Sequence, residues 1–68
     1  MFRNLLAEMA REGLDARKVA AGIGVSEKTF RNKLNGKTEF TRSEILKIRN
    51  TFFKHLSYDY LFELEEGA

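Results

Sequence analysis

The stretch Asp15 to Thr38, DARKVAAGIGVSEKTFRNKLNGKT, decides how the rest of the chain is read. Asp15 is a strong N-cap, and Ala16, Val19, Ala20 and Ile23 follow at helical spacing, which predicts a helix over 16–23. Gly24 can adopt the positive φ that stops such a helix. Ser26 caps a second helix three positions before Thr29, and Phe30 and Leu34, one turn apart, mark its buried side. Asn35-Gly36 ends it. The outcome is two short helices joined by a tight turn, the second carrying a cationic and amide face. Gly22 lies inside the first and costs it about 1 kcal/mol of propensity relative to alanine. That helix therefore depends on its packing.

Outward from this centre the pattern stays helical. Phe2, Leu5, Leu6 and Met9 share one face of a helix over 2–12, Gly13 stops it, and Leu14 turns inward. Beyond the loop 35–40, Thr41-Arg42-Ser43-Glu44 is a capping box, flanked by Phe40 and Ile45 at the positions of a hydrophobic staple. Ile45, Ile48 and Phe52 continue that helix's apolar stripe, with Leu46 and Phe53 beside it. Ser57 caps a short last helix over 58–62, and residues 63–68 read as a frayed tail. The expectation is an all-α, compact five-helix fold, a single domain over 1–68 without repeat or linker.

Composition removes several function classes. The 68 residues include no cysteine and one histidine, so neither a disulfide framework nor a zinc site is available. No apolar run is long enough to span a bilayer. The start, MFRNLLAEMAREG, carries acids and amphipathic spacing, unlike a signal peptide, so a cytoplasmic protein is expected. No glycine-rich phosphate loop and no set of catalytic partners stand out; a non-enzyme without cofactor, metal or small-molecule ligand is the reading. His55 lies where a cation favours the end of the fourth helix, and Met9 reads as core and Met1 as terminus.

Charge is unevenly spread. Net charge is only +2, yet residues 16–54 hold ten Lys or Arg against three Glu. Residues 55–68 hold no Lys or Arg and four acids, Asp59, Glu63, Glu65 and Glu66. A solvated surface explains such a bias equally well, but here the basic part coincides with the two-helix pattern, as a footprint for phosphate does. Five of the eight aromatics fall between Phe52 and Phe62. A domain this small can hardly hide them all, so a homodimer seam over Phe53, Tyr58, Tyr60 and Phe62 is expected, against a monomer with a few exposed rings.

The chain resembles the lambda-repressor-like helix-turn-helix domains of the Cro and XRE group, and more narrowly the short phage and prophage regulators of Gram-positive bacteria. The resemblance rests on Val19-Ala20, Gly24-Val25-Ser26, Thr29-Phe30 and Leu34-Asn35-Gly36-Lys37, continues through Glu44-Ile45, Ile48 and Ser57 to Leu61-Phe62, and covers nearly the whole chain. It implies a DNA-binding transcriptional regulator whose second helix crosses the groove while the third enters it. By position, Glu27, Lys28, Arg31 and Asn32 then face base edges. Arg or Lys can donate to guanine, Asn can pair with adenine, and Glu can accept from cytosine N4; Glu27 also simply suits the helix dipole. Phosphate contacts fall to Arg17, Lys18, Ser26, Asn35, Lys37 and Thr38, with capping alone an equal reading of Ser26. The family often has Gln where this chain has Ala16, so Arg17, Lys18 or a main-chain amide must replace that contact. The implied partner is a pseudo-palindromic double-stranded operator bound by a homodimer, with Cro-like repression. The rival is a helix-turn-helix protein-interaction module such as an antitoxin, anti-repressor or adaptor.

Overall fold

Four of the five helices begin on a side chain that accepts a hydrogen bond from the first turn. Asp15 accepts from the Lys18 amide (2.8 Å), Ser26 from Thr29 (3.1 Å), Thr41 from Glu44 (3.2 Å) and Ser57 from Tyr60 (3.2 Å). The computed structural model describes residues 2–63. Among them the chain is all-helical: α1 Arg3–Arg11, α2 Ala16–Ile23, α3 Glu27–Leu34, α4 Arg42–Phe52 and α5 Tyr58–Leu61. Met1 and most of the expected frayed tail, residues 64–68, lie outside the described residues. No helix among those described is long and apolar enough to cross a membrane.

The turn between α2 and α3 is set by Gly24. Its φ of +80° lets its own amide reach Ala21 O (3.4 Å) while the Val25 amide reaches Ala20 O (3.0 Å), which closes the end of α2 in a Schellman motif. Ser26 then starts α3 at once. Across this turn Ala16, Val19, Ala20 and Ile23 of α2 meet Phe30 and Leu34 of α3 in one core, which also takes in Leu5 and Met9. α2 also packs on α4, and α1 and α4 both pack on α5.

At Gly22 the constraint comes from contact. A Cβ there would run into the Phe52 ring, 2.8 Å from its Cε2. The glycine that weakens α2 by propensity is the one that lets α4 lie against it.

The capping box at Thr41 is complete, with Glu44 Oε1 accepting back from the Thr41 amide at 2.8 Å. The same oxygen takes the Lys33 ammonium at 2.7 Å, and Lys33 also donates to Glu39 O (3.2 Å). One carboxylate thus starts α4 and ties it to the end of α3. Phe40 packs on Phe2, Phe30 and Phe62 at centroid distances of 5.2, 5.9 and 5.4 Å, and lines one groove with Ile45.

The last third of the chain departs from expectation. α4 stops at Phe52, and the chain turns Phe53 fully into the core while Phe52 stays half-buried. Phe53 is therefore withdrawn from the expected dimer seam: its ring joins Ile48 and Leu61 inside. Phe62 is half-buried against Phe2 and Phe40, and Tyr58 lies under the Arg49 guanidinium at 5.0 Å. Tyr60 alone of the four is exposed, at 38%. His55 is exposed, two residues beyond the Phe53 C-cap of α4.

Candidate nucleic-acid interface

α3 buries Phe30 and Leu34, and helical spacing turns Lys28 and Arg31 onto its other, exposed face. Glu27, Lys28, Arg31, Asn32 and Asn35 line one shallow, open concavity along that face. All four residues expected to face bases are in it, joined by Asn35 from the set expected to hold phosphate. The third basic side chain of α3, Lys33, is directed to Glu44 and only 12% exposed, so it belongs to the scaffold.

Within the concavity Arg31 and Glu27 are paired. Glu27 Oε2 accepts from Arg31 Nε at 2.8 Å and lies 2.7 Å from Nη2. The sequence carried the signal for this pair, a Glu one turn ahead of an Arg, which is the favourable order on a helix.

The flanking residues divide by what their backbone has left to offer. The Lys37 and Thr38 amides both donate to Asn32 O, at 2.9 and 3.4 Å, so only their exposed side chains are open to a phosphate. Ser26 Oγ accepts from the Thr29 amide and donates to Thr29 Oγ1 (2.9 Å), which commits the hydroxyl to the cap. Arg17 and Lys18 are exposed at the start of α2, and Lys18 Nζ makes a long contact to Gly13 O (3.4 Å). The neighbouring Asp15 carboxyl is held below its usual range chiefly by the Lys18 amide; burial opposes this, and the Lys18 and Arg17 charges add smaller lowering effects. It stays ionised and offsets part of that positive charge. Thr38 faces the groove of Phe40 and Ile45 rather than the α3 concavity.

No family model, curated protein or solved structure matches the chain. The geometry of these side chains is therefore what bears on function.

Sequence reading missed a polar contact on another side of the molecule. Glu8 is only 4% exposed, and its Oε2 accepts from the Tyr60 hydroxyl at 2.7 Å and from Arg11 Nη1 at 3.0 Å. This holds the Tyr60 hydroxyl above its usual range, chiefly because its hydrogen bond to a carboxylate favours the protonated form. Asn4 Nδ2 also donates to Tyr60 O (2.9 Å) and Glu63 Oε2 (3.2 Å), so Asn4 and Glu8, one turn apart on α1, both hold the Tyr60 end of α5. The alternation around Leu5 and Met9 hid Glu8, since a partner 52 residues away leaves no local trace.

Proposed function

We propose that this chain is a sequence-specific regulator that binds double-stranded DNA, with α2 and α3 as a lambda-repressor-like helix-turn-helix. The observation that supports it best is the α3 concavity, where amide and guanidinium groups able to make bidentate pairs with bases stand on a rigid helix. Arg17, Lys18 and Lys37, all exposed, supply the charge that phosphates require. Two copies would bind a pseudo-palindromic operator with their α3 helices in successive major grooves about 34 Å apart. Repression by occlusion, in the manner of a Cro-like phage or prophage protein, is the action this reading assigns, from the cytoplasm and without cofactor.

Selection of binding sites from a random duplex pool at physiological salt tests the reading. Enrichment of a dyad with half-sites one helical turn apart supports it; retention without a motif overturns sequence-specific recognition. The protein-interaction reading draws on a different observation, the exposure of Leu46 and Tyr60 on α4 and α5. It gains if no motif emerges and a protein partner protects those two residues.

A further inference from the structure

An acid in the middle of a face meant for DNA needs an explanation. Glu27 lines the α3 concavity together with Lys28 and Arg31, where a bare carboxylate would repel phosphate. It is instead bound to Arg31, and the way it is bound leaves a particular surface open. The carboxylate oxygen takes Nε and Nη2, the side edge of the guanidinium. The planar fork carries five N–H donors, and its end edge, formed by Nη1 and the second hydrogen of Nη2, points away from that contact. The end edge matches the O6 and N7 acceptors of guanine.

The pair has little to do as a structural device. Both side chains are exposed, 58% for Arg31 and 41% for Glu27, and exposed ion pairs one turn apart add little to stability. What the contact does is bias a long, rotamer-rich side chain toward one direction before any partner arrives, which lowers the ordering cost of binding.

We propose that Glu27 and Arg31 act as one reading unit: Glu27 is a positioning residue that holds the guanidinium side edge, and Arg31 reads a guanine with its end edge. This rests on the DNA-binding reading above and assigns one base within it. Glu27 then makes no cytosine contact of its own.

Site selection with the parent protein and with Arg31→Ala, Glu27→Ala and Glu27→Gln separates the possibilities. The position read by Arg31 is the guanine preference that Arg31→Ala abolishes. At that position Glu27→Ala is expected to lose discrimination on the order of tenfold, while binding to non-specific duplex stays equal or tightens because a negative charge has gone. Glu27→Gln keeps an acceptor oxygen and recovers part of the preference. Thermal melts followed by circular dichroism confirm that each variant is folded. In the free protein, the Arg31 Nε–H resonance is expected to be sharp and slow to exchange with water, and to lose both properties in Glu27→Ala. Three results would overturn the assignment alone: an unchanged guanine preference in Glu27→Ala, a loss at a different base, or an unchanged Nε–H resonance. A parent protein that selects no motif overturns the DNA-binding reading and this assignment together.

Discussion

Arg31 and Asn32 sit side by side on α3 but differ in freedom. Arg31 is exposed and steered by Glu27, whereas Asn32 is half-buried and its main-chain carbonyl accepts the amides of Lys37 and Thr38. Arg31→Ala is expected to weaken specific binding by about 1–3 kcal/mol and relax a single base position, measured by titrating the selected site and its single-base variants. Lys37→Ala acts differently: it should leave base preference untouched and lower the salt slope by about one unit, since a phosphate contact carries no sequence information. Glu8 belongs to the scaffold. Its carboxylate is nearly enclosed and bonded to Tyr60 and Arg11, so Glu8→Ala should destabilise the fold by about 1–3 kcal/mol in urea denaturation, with site preference unchanged.

Between elements, two contacts fix how the α2–α3 pair is presented. The first is Gly22 against Phe52. Gly22→Ala should destabilise the parent protein, because the added methyl meets the ring, yet stabilise a Phe52→Ala background by about 0.5–1 kcal/mol, the ordinary helix-propensity gain. A double-mutant cycle in urea reads the sign change directly; equal signs in both backgrounds would dismiss the contact. The second is Lys33 with Glu44. Burial raises the carboxyl, but the Lys33 hydrogen bond and charge, with the Thr41 amide and hydroxyl, outweigh it and hold the group below its ordinary 4.5. The unfolded chain therefore takes up a proton first as acid is added. The contribution of Glu44 is complete above that ordinary value and fades as pH falls through the folded one. Urea midpoints from neutral pH to about pH 3 should show this acid limb in the parent protein and a flatter one in Glu44→Gln. Legibility in the sequence follows the same division. The caps at Asp15, Ser26, Thr41 and Ser57 were readable because donor and acceptor lie three residues apart. So were the four side chains of the α3 face, through the spacing of Phe30 and Leu34. Lys33–Glu44 was not, its partners lying eleven positions apart, and neither was Phe53, whose burial depends on where α4 stops.

At the scale of the molecule, the fold keeps the polar face of α3 and its clustered phenylalanines apart. Phe2, Phe30, Phe40 and Phe62 join in edge-on and tilted contacts that close the core, and Phe53 is sealed inside it. With Phe53 withdrawn and Phe62 half-covered, a dimer seam on α5 would have to centre on Tyr60. Sedimentation of the protein with a duplex carrying the selected dyad is expected to show two chains per duplex; one chain per duplex would remove the dimer from the proposal. The clasp of Asn4 on Tyr60 and Glu63 has a topological consequence as well. It sets the first helix beside the last, so a short glycine–serine segment can span the two ends of the described chain. A new break can then be opened at Thr38–Glu39, two exposed residues in a loop that the Lys33–Glu44 pair already bridges. Such a circular permutant should fold and keep its base preference, with α3 held to α4 by the Lys33–Glu44 pair and by their shared packing on α2 where a peptide bond used to run.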